Sequence, residues 1–441
     1  MNRSPNHTWL ILSHAFNMDG RAASQTITDK IPHLLALGIK PVVISGALGK
    51  QDQIVEHHQV LSALPVGLRF DLRHYLRNRI SSRLVYRLCM ICISIALLPF
   101  YLLEKLIFPV ETSWSWSISA FFKGSSIIRQ QPPALIYSTG GAYAAHIAGY
   151  WLSRRYNIPW IAEIHDPMVI ESKLDKTYRE RFMARLETLI CTHADVVWWF
   201  TEMAMKRALQ RNPQLSERGH YVLAGVDAPK IIRKPYARGE KMVIGHFGSL
   251  STTRNLAVFL DALKKFAARD SARANLVRLH IYGGSMDEIS ASAIAAFPYP
   301  EMIQNMGRLE TDPATGESGR DRVLHRMNAA DALLLLHGTI PFCEEYIPSK
   351  LYEYFWAKRP VLGLVHRNPQ LAGILVEFHH YAVDADSAQS ISEAIEDLFS
   401  RWLHNELHDV HQDSPYTTKN AVQTIHSWVE DYFRNYTAQK P

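Results

Sequence analysis

Glu345 and Glu353 stand with seven residues between them, and the interval holds Pro348, Ser349, Lys350 and Tyr352 ahead of an apolar run at 361–364. Pro348 followed by Ser349 and Lys350 predicts a helix start, and the run after it a buried strand. A helix N-terminus offers free N–H groups and the positive end of a dipole, so it suits a diphosphate, and Lys350 adds a full cation there. Ser349 is the expected cap. Glu353 lies three residues beyond Lys350, on the same helical face, and an ionised carboxylate is acceptor-only, which suits a pair of ribose hydroxyls. Glu345, in the preceding loop, is then within reach of a sugar. A nucleotide-diphosphate sugar carries all of these groups. The competing account is an amphipathic helix with solvated charges.

The arrangement Glu345, Pro348-Ser349-Lys350, Glu353-Tyr354 resembles the E-x7-E signature of retaining GT-B glycosyltransferases, in particular glycosyltransferase family 4, in the Pro-x-Lys-x-x-Glu-Tyr form associated with polysaccharide assembly. That resemblance implies an α/β fold of two Rossmann-like doubly wound domains facing across a cleft. It also implies catalytic roles for Glu345 and Lys350, and donor contacts from Ser349, Lys350 and Glu353. In the same family a glycine after the first strand of the second domain precedes one basic residue, with another five positions on. Here Gly248 follows 244–247, Ser249 replaces the first basic residue and Arg254 matches the second. Diphosphate binding is therefore expected to rest on Gly248, Arg254, Lys350 and backbone amides, with a plain turn and a solvated arginine as the alternative. Gly283, in 281–284, and Arg308, in 305–309, resemble the two strand ends that flank the nucleobase.

In the first half, Gly20 lies in a loop at 17–24 that takes the place of the GT-B loop facing donor phosphate and acceptor. A simple turn capped by Asp19 or Ser24 is the other reading. His165, in Glu163-Ile164-His165-Asp166-Pro167, follows a strand at 160–164. Relatives carry a histidine there near the donor sugar, and open α/β sheets bind ligands at strand C-termini. His165 is expected to orient the sugar or hold its hydroxyls and need not be a base; a structural histidine is the other reading. Asp384-Ala385-Asp386 spells D-x-D, but a helical pattern follows it, so Asp386 is expected as a cap. No His-Glu-x-x-His and no P-loop occurs, and neither a metal nor a cofactor is expected.

Short apolar runs alternate with helical patterns along the chain, the mark of parallel sheets covered on both faces. Strands are expected at 9–13, 41–45, 135–138, 160–164, 196–200 and 221–223, then at 243–247, 277–282, 332–336 and 361–364. The expected domains are an acceptor-binding one at 1–227, a linker at 228–241, a donor-binding one at 242–420, and a helical pattern at 421–436 within a final segment 421–441 that in GT-B enzymes often crosses back. Ala224-Gly225-Val226-Asp227 resembles the Asn-Gly-Val-Asp turn that closes the first GT-B domain, apart from Ala224.

With 441 residues, 47% of them hydrophobic and 20% charged, the chain is long enough for two cores and is not a disordered polymer. Its four cysteines, at 89, 92, 191 and 343, are too few for a disulfide framework and suggest a reducing compartment. Cys89 and Cys92 lack a second pair or a nearby histidine that would complete a metal site. The apolar stretch at 9–12 is too short for a signal-peptide core, so a cytoplasmic start is expected.

The net charge of +6 is concentrated. Between Leu68 and Lys105 stand seven basic residues against two acidic ones, Asp71 and Glu104. Arg69, Arg73 and Arg77 are spaced by four, as are Arg79, Arg83 and Arg87, beside Phe70, Leu72, Leu76 and Ile80. This is the composition of an interfacial helix on anionic lipid. Sixteen uncharged residues follow at 88–103, interrupted by Pro99. They are short of the roughly 20 a span needs. An interfacial, membrane-dipping hairpin is expected, with a buried core helix and a short span as the alternatives; a single span would put the two parts of the first domain on opposite sides of the membrane. The neighbouring residues are aliphatic and no nucleic-acid motif occurs, so nucleic acid is not an expected partner.

The sequence thus points to retaining, metal-independent transfer of a sugar from a nucleotide-diphosphate donor to a glycan or lipid-linked acceptor, at the cytoplasmic face of an anionic membrane. A sugar-nucleotide epimerase or hydrolase and a non-catalytic membrane scaffold on the same fold are the rivals.

Overall fold

The computed structural model describes residues 7–18, 21–108, 113–140, 143–170, 177–230, 234–284, 286–410 and 413–438. The chain forms two compact units, one of Met1–Ala224 with Thr418–Pro441 and one of Gly225–Thr417. Each unit is built on a parallel sheet. The class expected from the sequence, α/β with two Rossmann-like doubly wound units, is the class observed.

The first sheet contains β1 (Thr8–Leu12), β2 (Lys40–Gly46), β3 (Glu56–Val60), β4 (Leu135–Thr139), β5 (Trp160–Ile164), β6 (Val196–Trp199) and β7 (Gly219–Tyr221). Their spatial order is β3-β2-β1-β4-β5-β6-β7. The central strands are mostly apolar because helices cover both faces, and every residue of β1, β4, β5 and β6 is buried. One face packs Trp116, Ala148, Leu152 and Trp160, the other Trp9, Ile31 and Trp198. The final helix, Thr418–Ala438, closes that second face of the first unit with Val422, Ile425 and Val429, spaced for one helical side.

The second sheet contains β8 (Met242–Phe247), β9 (Val277–Tyr282), β10 (Ile303–Asn305), β11 (Ala332–Leu336), β12 (Val361–Val365) and β13 (Tyr381–Asp384). Its order is β10-β9-β8-β11-β12-β13. Strand progression reverses between β8 and β11, as it does between β1 and β4 in the first sheet. In open α/β sheets that reversal, at the strands' C-terminal ends, is where ligands bind.

One local expectation is corrected and one alternative is removed. Helix Ala388–Leu403 is capped by Ser387, whose hydroxyl accepts from the Ser390 N–H, whereas Asp386 pairs with His366 at 2.8 Å. A hydroxyl directly before the first helical residue outcompetes a carboxylate one position too early. The run at 88–103 is not a buried core helix: it lies inside a continuous helix, Arg83–Ile107, whose apolar stretch is not covered by the rest of the protein.

Candidate functional site

The second unit gathers its chemistry at the β8/β11 reversal. Gly248, directly after β8, has φ +151°, and its N–H bonds the Tyr282 carbonyl at the end of β9 (2.9 Å). A Cβ on Gly283 would lie 2.3 Å from the Gly248 carbonyl oxygen, so only glycine lets these two loops close on each other. Gly283 in turn donates to the Gly307 carbonyl (3.1 Å). The backbone ends of β8, β9 and β10 are thereby tied into one ledge. The Phe247 and Tyr282 rings stack beneath it, 4.6 Å apart and 2° from parallel.

Across the reversal, the loop after β8 meets the loop after β11. Thr339 N–H donates to the Thr253 carbonyl (2.7 Å), and a Cβ on Gly338 would sit 3.1 Å from that of Arg254. Arg254 is held by the Ser249 carbonyl (3.1 Å) and the Tyr346 hydroxyl (3.3 Å). Tyr346 belongs to the loop that carries Glu345, and two side chains fix its carbonyl. Asn368 donates to it at 2.8 Å, as does His337 Nε2 at 2.9 Å. Because Nδ1 of His337 accepts from the His366 N–H (3.2 Å), the ring is neutral with its proton on Nε2, and burial pushes its pKa down accordingly.

Helix Lys350–Ala357 follows. Its Tyr354 is fully buried, accepts the Phe247 N–H (3.1 Å) and donates to the Leu334 carbonyl (3.2 Å), pinning the helix to the end of β8 and the middle of β11. His246 of β8 bonds the same Leu334 carbonyl through Nδ1 (3.2 Å). Burial, with Arg254 and Lys350 nearby, pushes its pKa down to about 4, although the carbonyl pulls it the other way.

Of the residues expected here, Gly248, Arg254, Gly283, Glu345, Lys350 and Glu353 all fall on this C-terminal edge. Lys350 and Glu353 do share a helical face, as their spacing implies, and they bond each other at 2.5 Å. Glu345 is buried, at 4% exposure. Ser349 departs from expectation: its φ/ψ is helical and its side chain makes no capping bond, because Pro348 already sets the turn. Arg308 is exposed, one residue past Gly307. Tyr346, His337 and Asn368, which fix the loop, were not anticipated. Their one sequence signal is that each sits in a connection leaving a strand end.

In the first unit Gly20 lies outside the described residues, as does Asp19. Ser24 lies inside helix Ala22–Thr28, whose N-cap position is Arg21, and accepts the Met18 N–H (2.8 Å). His165 stands immediately beyond β5 with its ring against Phe200. Beneath it lies a buried polar cluster that the sequence reading missed. Glu163 of β5 receives bonds from Lys30, from the Tyr137 hydroxyl and from the Thr139 hydroxyl. With its one proton given to Glu163, Thr139 Oγ1 accepts the Nε2–H of His165 (3.1 Å), which sets the ring's tautomer and leaves Nδ1 as the acceptor. Burial would raise the Glu163 pKa, but the Lys30 charge, with His165 alongside at 3.8 Å, holds it well below the usual carboxylate range. Burial lowers the Lys30 pKa against the pull of Glu163. A glutamate inside an otherwise apolar strand must be paired, and that was the available signal.

No known protein family and no curated protein sequence matches the chain. Solved structures do. Sucrose-phosphate synthase from Thermosynechococcus elongatus superposes with a TM-score of 0.59 at 12% identity, over 98% of both chains. α,α-Trehalose 6-phosphate synthase from Burkholderia multivorans gives 0.60 at 11% identity, over 98% of this chain and 99% of that one. WaaG, a glycosyltransferase involved in lipopolysaccharide biosynthesis, gives 0.55 at 12%, over 95% and 99%. At such identities the likeness is one of architecture, and the architecture is the GT-B fold of glycosyltransferases.

Proposed function

We propose that this protein is a glycosyltransferase that takes a sugar from a nucleotide-diphosphate donor, with retention of anomeric configuration and without a metal, and places it on a glycan or lipid-linked saccharide at the cytoplasmic face of a membrane. The observation that carries the reading is the joining of Arg254 and Lys350 at the β8/β11 reversal, one through Tyr346 and the other on a helix pinned by Tyr354. Departure of a nucleoside diphosphate builds negative charge on the leaving oxygen, and fixed cations with helix N–H groups stabilise it without reorganising.

In this reading the donor diphosphate exchanges for Glu353 as the partner of Lys350. Glu353 is then released to accept the ribose hydroxyls. Gly248 and Gly283 let backbone come close to the nucleotide, and Arg308 lines its base. Glu345 holds the sugar, and on the first unit Nδ1 of His165 is the acceptor offered to a sugar hydroxyl. Retention is consistent with leaving group and incoming hydroxyl reacting on one face, which asks for oriented hydrogen bonds more than for a strong base.

A thermal-shift screen of nucleoside diphosphates and their sugars tests this, since a ligand that binds only the native state raises its melting temperature. A nucleotide sugar is expected to stabilise the protein. Lys350→Ala is expected to abolish transfer, Glu353→Ala to weaken donor binding, and the product to carry the donor's anomeric configuration by NMR. No stabilisation by any nucleotide sugar, or near-normal transfer in both variants, would defeat the proposal.

A further inference from the structure

Helices Pro65–Arg77 and Arg83–Ile107 form an antiparallel pair on the first unit. Arg69 Nε reaches Ser94 Oγ (2.9 Å), and the Tyr86 hydroxyl reaches the Arg73 carbonyl (3.4 Å). The inner helix is fastened to the body at both ends and in the middle. Asp71 takes the His14 ring (3.0 Å) and the Ser62 N–H (2.6 Å), while Asn78 donates to the Leu48 carbonyl (3.1 Å). Glu104, near the far end of the outer helix, accepts from Val66 N–H (2.8 Å) and Trp114 Nε1 (3.1 Å). The two acidic residues of the segment are thus both consumed as internal anchors, and both are buried.

What remains outside has one sign and one texture. Arg69, Arg73, Arg77, Arg79, Arg83 and Arg87 are all exposed, and among the described residues none of them forms an ion pair with a carboxylate. The outer helix turns Ser94, Leu97, Tyr101 and Glu104 toward its partner. On the opposite side Leu88, Ile91, Ile95, Leu98, Leu102 and Leu106 recur at three- and four-residue steps, 50–82% exposed. A helix apolar all round needs cover on both sides, and here the protein supplies it on one.

We infer that this hairpin docks flat on an anionic membrane, with the bare stripe sunk into one leaflet and the arginines on lipid phosphates. At about 1.5 Å per residue the outer helix is long enough to cross a bilayer, but its pairing along the inner helix and the Glu104 anchor run its axis beside the body of the unit. A span would drag the sheet into lipid. Charge complementarity selects the occupant: a stripe rimmed only by cations fits anionic headgroups, whereas two copies stacked through it would bring like charges together. The inference deepens the membrane-linked part of the proposed function and rests on that reading for its purpose. Its test needs no sugar donor.

Cys92 is exposed on this helix, and Cys191 and Cys343 are buried. With Cys89→Ser, an environment-sensitive fluorophore on Cys92 of the full chain is expected to brighten with phosphatidylcholine vesicles containing phosphatidylglycerol, and much less with phosphatidylcholine alone. Replacing Arg73, Arg77, Arg79 and Arg83 by Ser should weaken co-sedimentation by roughly fivefold per charge, and Ile95→Glu with Leu102→Glu should abolish it, while circular dichroism stays native. Lipid-borne quenchers at shallow and deep positions should report one shallow depth for Cys92 and, in a variant lacking Cys89 and Cys92, for Leu106→Cys. No fluorescence change, equal binding to both vesicles, opposite-leaflet depths, or a lipid-free dimer that shields the stripe would each overturn the inference. Loss of donor binding with vesicle binding intact would count against the transferase reading alone.

Discussion

The ammonium of Lys30 donates to the carboxylate of Glu163 with both side chains buried in the first unit. Removing one member of such a pair strands a charge, which costs roughly 3–5 kcal/mol, whereas replacing both members by apolar groups is often near neutral. Lys30→Met is therefore expected to lower the urea midpoint sharply, and Lys30→Met with Glu163→Leu to recover much of the loss. If the double variant is as unstable as the sum of the singles, the pair is not coupled.

Stability should fall on acidification before the carboxylates titrate. Burial pushes His146 down to about 3, and His246 and His380 to about 4, against 6.5 for the free side chain. Between pH 6.5 and about 4 the unfolded chain binds protons that the fold refuses, so stability drops as pH falls, by about 1.4 kcal/mol per pH unit for each histidine. The depressed Glu163 adds its own loss below 4.5. Denaturation midpoints are expected to be level from pH 7 to 8 and to decline steeply from 6.5 to 5. A flat profile across that interval would contradict the burial of these rings.

What the sequence disclosed and what it hid follow from burial. Every strand expected from an apolar run at the centre of a sheet is there. The exceptions are the four edge strands: β3 and β13 were not anticipated, β10 was known only by its end, and β7 lies two residues earlier than its apolar run suggested. An edge strand such as Glu-His-His-Gln-Val packs one neighbour and faces solvent, so it carries no apolar period to read. The site divides similarly. Arg254, Lys350 and Glu353 stand in local patterns whose spacing survives in the structure. The Lys30–Glu163 pair joins residues 133 apart, and pairing at such range leaves no trace in spacing.

Gly283→Ala places a methyl carbon 2.3 Å from the Gly248 carbonyl oxygen, well inside contact distance. The ledge formed by the ends of β8, β9 and β10 must open, at about 1–3 kcal/mol for an overpacked contact. Donor affinity measured by calorimetry is expected to fall along with the melting temperature. Gly284→Ala, with no atom near its added carbon, is the control and should leave both unchanged.

Tyr354→Phe isolates the pin between the two halves of the second sheet. The ring stays in its fully buried position, so packing is conserved, but the Phe247 N–H loses its acceptor and the Leu334 carbonyl keeps only His246. An orphaned buried donor costs about 1–3 kcal/mol, and the loss is placed where Gly248 leaves β8. Helix Lys350–Ala357 then has less to hold it against β8 and β11. The expected result is a lowered urea midpoint together with weaker donor binding, while vesicle binding by the first unit is untouched. Were Tyr354→Phe as stable as the parent and equally good at binding donor, the hydroxyl would not be what sets the helix against those strands.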